Sequence, residues 1–282
     1  MSERISAGHL PLRVLPVPTM RSRARAALGG RPAVHLLERH ALVYRHAWMI
    51  IVSGILEPLF YLLSIGVGLG KLVGTVAGPG DQRVTYAAFV APALLASASM
   101  NGALFDSTFN VFFRLKYEKL YDALLATPMR AGDVALGEIS WALLRGALYA
   151  VAFMGVMLAL GLFHSPWGVL ALPAAILTGF AFAAAGMAAT TYMRSWKDFE
   201  FVTLATLPMF LFSTTFYPLS VYPRALQIVV ECTPLYQSVA LMRGLTLGAV
   251  GPALLWHVVY LAVLGIAGLY VAARRIGRLL LR

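Results

Sequence analysis

Six stretches of this chain, near residues 48–70, 86–106, 134–160, 168–192, 201–217 and 253–273, are apolar for long enough to cross a bilayer. A hydrocarbon core about 30 Å thick takes roughly 17–25 mostly apolar residues in helical form. None of the six alternates between apolar and polar residues as a membrane barrel strand does. The expected class is therefore an all-α polytopic membrane protein. Composition closes the alternatives. Only 12% of the 282 residues are charged and 60% are apolar, against about 25% charged in soluble domains. Disordered chains are poor in apolar residues. The single cysteine, Cys232, excludes an intrachain disulfide and a Cys₄ metal site.

The basic residues set an orientation, because Lys and Arg accumulate in cytoplasmic loops. Eight arginines, from Arg4 to Arg45, precede the first stretch. Arg114, Lys116, Lys119 and Arg130 follow the second, Arg194 and Lys197 follow the fourth, and Arg274, Arg275, Arg278 and Arg282 close the chain. The other side carries Lys71, Arg83, Arg224 and Arg243. Eighteen against four places both termini in the cytoplasm. The net charge of +11 is then mostly orientation bias, and no nucleic acid partner is expected. Residues 1–33 read as a flexible basic cytoplasmic tail with Pro11, Pro16, Pro18 and Gly29-Gly30. They lack the apolar run of a cleavable signal, so the first span is expected to act as the insertion signal. Residues 34–282 form the membrane domain.

The segments between spans carry their own patterns. Val34, Leu37, Ala41, Tyr44 and Trp48 share one helical stripe, which predicts an amphipathic entry helix, either lying at the cytoplasmic membrane surface or simply leading into span one. Residues 114–128 combine good helix formers with alternating charge and stop at Pro128. They predict a short cytoplasmic helix, either a docking element for a soluble partner or a solvated connector. Residues 218–252 are too apolar for an exposed loop, yet Pro218, Pro223 and Pro234 cut them into pieces too short to span. That pattern predicts an outer re-entrant hairpin before the last span. Gly66 and Gly70, and Ala181 to Ala189 with Gly179 and Gly186, offer slim helix faces for close packing.

Charges at bilayer depth are pointers to function. Glu57, Glu138 and Arg145 lie well within the spans. Glu57 lies about 14 Å past Trp48 and Arg145 about 17 Å past Val134, at 1.5 Å per residue. Both helices start from the cytoplasmic side. Opposite charges at matched depth predict an intramembrane ion pair, Glu57 with Arg145, that tethers spans one and three or contacts substrate. No GxxxxGK[ST] loop occurs; Gly66-Val-Gly-Leu-Gly-Lys71 lacks both the spacing and the hydroxyl residue. No HExxH or GxSxG occurs either, and the six histidines are scattered. No catalytic residue, metal or cofactor is assigned, nothing points to an enzymatic site, and the chain is not expected to hydrolyse ATP by a P-loop of its own. A lone His257 in the last span reads as a packed helix residue.

Six spans, cytoplasmic termini, an entry helix, a charged helix between spans two and three and an outer hairpin together resemble an ABC-2 type permease. Glu57-Pro-Leu-Phe-Tyr-Leu-Leu with Gly66-Val-Gly-Leu-Gly70, Leu136-Gly-Glu-Ile-Ser-Trp141, Pro208-Met-Phe-Leu-Phe-Ser213 through Phe216-Tyr-Pro218, and Pro234-Leu-Tyr-Gln-Ser-Val-Ala-Leu-Met-Arg243 are similar to the nodulation-factor export permeases (NodJ-like). The resemblance covers roughly residues 35–282. It implies a bacterial inner-membrane exporter of two permease halves, identical or different, and two cytoplasmic ATPase subunits. The span two–three loop would be the coupling helix, placing Arg114, Lys116, Glu118, Lys119, Tyr121, Asp122, Thr127 and Pro128 at the ATPase. Glu57 and Arg145 match an acidic and a basic position of the family. The resemblance favours an amphiphilic cargo such as a lipid-linked or lipo-oligosaccharide. A hydrophobic drug or antibiotic is the alternative within the same architecture. A membrane-embedded enzyme acting on lipid or glycan, or an ATP-independent channel or scaffold, are the alternatives of other classes.

Overall fold

A computed structural model of the chain describes Leu56, residues 59–117 and residues 131–280. The basic tail, the entry helix and Glu57 lie outside the described residues, as do Glu118, Lys119, Tyr121, Asp122, Thr127 and Pro128 of the expected coupling helix. The described part is mostly helical. Helix α1 (Leu59–Val73) leads through a short antiparallel hairpin, β1 (Thr75–Ala77) and β2 (Arg83–Thr85), into α2 (Tyr86–Lys116). Then come α3 (Ala131–Ala159), α4 (Ala171–Thr190), α5 (Phe199–Phe212), α6 (Arg224–Glu231), α7 (Pro234–Leu247) and α8 (Ala253–Leu280). Among the described residues, four helices are long and apolar enough to cross a membrane: α2, α3, α4 with the turn before it, and α8.

Local signals explain most boundaries. Thr85 caps α2, its hydroxyl accepting from the Ala88 N–H at 3.4 Å. Gly161 (φ +65°) ends α3 in the left-handed conformation, with Leu162 N–H returning to the Met157 carbonyl at 2.9 Å. Pro234 opens α7 behind the Thr233 cap, and Gly248 (φ +86°) closes it. Two boundaries differ from expectation. The second helix does not end at residue 106: it passes through a π-helical turn, Asp106–Asn110, and runs on to Lys116. Its polar run, Asp106-Ser-Thr, resembles a loop in sequence but is buried. The fifth stretch, expected over 201–217, ends at Phe212. Ser213 to Thr215 are buried outside the helix, and Thr214 takes a positive φ of 61°.

Helix α2 is the centre of the fold, with 72% of its spanning window buried, against 17% for α8. It packs on α4, α7, α3 and α1. Small residues let α4 and α8 share the most extensive helix contact. A Cβ placed on Gly268 would come within 2.7–2.9 Å of the Ala184 and Ala185 backbone, so only glycine fits the crossing. Gly186 of α4 faces the π-helical turn, where a Cβ would lie 2.5 Å from Ser107 Oγ. The Ser107 carbonyl accepts from Thr190 Oγ1 at 3.2 Å. Of the expected glycine pair in the first span, Gly66 meets Ala87, whereas Gly70 faces open space. The segment after α5 folds as two helices, α6 and α7, bent by 86° at the break between them.

Candidate functional site

The spacing of charges along α2 and α3 builds a ladder. Asp106, Asn110 and Arg114 recur every four residues on α2 and therefore share one face. Glu138 and Arg145 lie seven apart on α3, again two turns along one face. The helices run antiparallel, so the ends cross: Asp106 pairs with Arg145, and Arg114 with Glu138. The rungs have opposite polarity and stand about 10–12 Å apart at helical rise. Asn110 Nδ2 donates to Asp106 Oδ1 at 2.7 Å between them. Asp106, Arg145 and Glu138 are all buried. Each of these three charges thus meets an opposite charge, which offsets the cost of burying it in a low-dielectric interior.

Arg145 therefore pairs with a carboxylate that the sequence reading missed. Asp106 was placed at a span's end, whereas the helix continues ten residues beyond it and carries it inside. Glu57, the expected partner, lies outside the described residues. A four-residue spacing of Asp, Asn and Arg at the end of an apolar run was the available signal. Of the expected coupling residues, Arg114 and Lys116 occupy the last turn of α2.

Arg145 also lines a cleft of about 690 Å³ between α1, α2, α3 and α5. Its walls mix two chemistries. Ser97, Asn101 and Thr108 of α2 face Thr203 and Thr206 of α5 across it, while Tyr61, Phe105, Phe109, Tyr149 and Trp196 supply rings. At one end the rings form a cluster: Phe109, Phe112, Phe113, Trp196 and Phe199 lie 4.9–6.5 Å apart, joining the last turns of α2 to the start of α5. Such a cleft can accept a molecule with both apolar and hydrogen-bonding parts. Helix α5 contributes no fully buried residue to the core, so it forms one cleft wall without being locked into the bundle.

A second arginine anchors the opposite part of the molecule. Arg243, counted as an outer-loop cation, is buried on α7. Its Nε donates to the Phe89 carbonyl at 3.2 Å, and its Nη1 and Nη2 donate to Thr214 Oγ1 and carbonyl at 3.3 and 2.8 Å. The guanidinium lies 3.7 Å from the Phe89 ring centre. This one side chain ties α7 to the start of α2 and to the chain break after α5. His257 of α8 hydrogen-bonds the Gln237 side chain of α7, so it packs as a helix residue. Gly66 to Lys71, the nearest approach to a phosphate loop, is helical. Its backbone N–H groups serve the helix rather than a phosphate. Among the described residues, no three His, Cys, Asp or Glu side chains group to hold a metal.

Comparison with known proteins agrees with this architecture. The ABC-2 type transporter family model matches residues 33–247. Nodulation protein J of Rhizobium leguminosarum bv. trifolii is 34% identical over 248 residues, 86% of this chain and 92% of the relative. Nodulation protein J of Rhizobium meliloti (strain 1021) is 34% identical over 202 residues, 71% of this chain and 74% of the relative. Inner membrane transport permease YadH of Escherichia coli (strain K12) is 23% identical over 208 residues, 71% of this chain and 75% of the relative. With the family model matching most of the chain, on apolar helices that suit a bilayer, this chain belongs to the ABC-2 type transporter family as a membrane permease.

Proposed function

We propose that this permease exports an amphiphilic molecule of the lipid-linked or lipo-oligosaccharide class across a bacterial inner membrane. ATP hydrolysis on separate cytoplasmic subunits drives it. The observation that carries the reading is the cleft beside Arg145, with hydroxyl and amide groups and aromatic rings on facing walls. A sugar headgroup needs both. Relatives named for nodulation support the same cargo class. The working unit is two permease halves with two ATPases. In each half six spans run from cytoplasmic termini, with α1 and α5 completing the four longer helices and α6–α7 forming the outer hairpin. Residues 114–128 are the coupling helix. Arg114 belongs both to that segment and to the ladder, so a push on the loop reaches α3 through Glu138 and Arg145. Glu57 joins Arg145 at this depth as part of the same tether.

The test is co-purification with the ATPase and ATP turnover with lipo-oligosaccharide added. The wild-type complex shows stimulated turnover and efflux. Charge reversal at Glu118 and Asp122 weakens ATPase association, because exposed charges orient partners. A glycine pair at Ala123 and Leu124 leaves the complex assembled but uncouples turnover from efflux, since each glycine softens a helix by roughly 1 kcal/mol. Intrinsic ATPase activity in the permease alone, or normal efflux in both variants, contradicts the reading.

A further inference from the structure

A second groove, of about 510 Å³, lies on the other flank of α5, between α2, α4 and α5. It shares Leu104, Thr108, Val202 and Thr206 with the first cleft, so the two are separated by only one layer of side chains. Its chemistry is different. The α4 wall is a trough of small residues, Ala185, Gly186 and Ala189, and the α5 wall is apolar, with Phe201, Ala205 and Met209. The groove reaches Tyr192, Met193 and Asp198 in the α4–α5 linker.

That end is cationic. Arg194 and Lys197 stand exposed in the linker. Arg275 comes in from α8, its guanidinium carbon 4.0 Å from the centre of the Tyr192 ring in the groove wall. Its Nε is buried and has no hydrogen-bond acceptor among the described residues. Arg274, held by the Tyr270 hydroxyl at 2.8 Å, and Arg278 follow on the same helix end. The linker and this helix end thus carry five cations against two carboxylates, Asp198 and Glu200. Asp198 is turned onto the backbone N–H groups of Arg194 and Ser195, at 2.6 and 3.1 Å. An apolar trough that ends at a cationic rim, with a guanidinium donor lacking an acceptor, has the polarity of an anionic lipid: chain along the trough, headgroup at the rim. Basic pockets between membrane helices bind such headgroups.

We propose that this groove is a binding site for an anionic glycerophospholipid of the surrounding leaflet. One acyl chain lies between α4 and α5, and its phosphate is held by Arg275 and Arg194. The occupant is a resident lipid, not the cargo. It steadies α5, which has no fully buried residue of its own. The inference requires only that these helices sit in a bilayer, and it is independent of what is exported.

The experiment washes the purified permease–ATPase complex in mild detergent, quantifies the phospholipid that stays, and titrates the complex with phosphatidylglycerol, phosphatidylcholine and inorganic phosphate. Phosphatidylglycerol is expected to be retained over phosphatidylcholine. Arg194→Gln with Arg275→Gln should lose roughly tenfold or more in phosphatidylglycerol affinity, whereas Arg194→Lys with Arg275→Lys should keep most of it. Ala205→Phe fills the trough without touching a charge or the core, and it should displace the lipid as well. Equal retention of the two lipids, or unchanged retention in both the glutamine pair and Ala205→Phe, overturns the site. Displacement by inorganic phosphate as effective as by lipid reduces it to an anion site without a chain. Loss of ATPase association in the glutamine pair with lipid retention intact reassigns the rim to a protein contact. If the wild-type permease forms no complex with an ATPase, the exporter reading fails, and the same titration on the permease alone still decides the lipid site.

Discussion

The α2–α3 and α4–α8 interfaces solve the same problem, holding two helices together where apolar burial favours neither, by opposite means. Between α4 and α8 the contact is shape: Gly268 seats on the Ala184 backbone, and nothing larger fits. Between α2 and α3 it is charge: two rungs of opposite polarity join Asp106 to Arg145 and Arg114 to Glu138. A close-packed glycine crossing has one arrangement, because interiors tolerate little overlap. An ion-pair ladder specifies register yet keeps its groups polar enough to exchange partners or water as the helices shift. The charged interface is also the one that reaches the cleft through Arg145 and the last turn of α2 through Arg114. The apolar interface reaches neither. The two helix pairs are thus held by different means.

Breaking the charged interface should have the largest effect. Arg145→Leu leaves Asp106 facing a buried site without its partner, at a cost of about 3–5 kcal/mol. Thermal unfolding in detergent should show a large loss of stability. The double variant Asp106→Asn with Arg145→Gln should recover much of it, because no charge is left stranded. Glu138→Gln should cost less, since Arg114 is more exposed and can reach water along its own stem. A double variant no more stable than Arg145→Leu would show that the pair is not what joins these helices.

The apolar interface should fail by overlap instead. Gly268→Ala should destabilise by about 1–3 kcal/mol, because the obstructing atoms are backbone and cannot turn aside. Gly155→Ala, on α3 with open space around it, should gain about 0.5–1 kcal/mol from helix propensity. Parallel unfolding curves would read both. A Gly268→Ala variant as stable as wild type, or stabilised as Gly155→Ala is, would mean that close approach is not what holds α8 to α4.

The smallest effect lies in the α4–α5 linker. The backbone N–H groups of Arg194 and Ser195 hold the Asp198 carboxyl below its ordinary carboxylate value. Its contribution is present above the unfolded pKa and is lost as the pH falls through the depressed folded value. Acidification below about pH 4 should therefore loosen the start of α5 before the bundle melts. Hydrogen exchange of residues 194–200 in wild type and Asp198→Ala would detect it, and Asp198→Ala should show the loosened pattern already at neutral pH.

Much of this was legible in order along the chain. Apolar runs announce membrane helices because hydrocarbon demands length and internal hydrogen bonding, and α2, α3, α4 and α8 fall where the runs do. Pro234, Gly161 and Gly248 act locally, so their turns follow from composition. The family resemblance rests on ordered motifs, and the matched domain agrees with it. The partners of the buried charges were not legible. Asp106 stood at the end of the expected second span, and only the continued helix and the facing α3 make it the mate of Arg145. Arg243 looked like an outer cation, and only the break after α5 supplies the Thr214 carbonyl that holds it. The sequence by itself determined which segments are apolar enough to suit a bilayer, because that is a transfer cost summed residue by residue. The tertiary structure decided which charges meet, which glycine is obligatory and where the clefts open, because those depend on the distance between helices far apart in the chain.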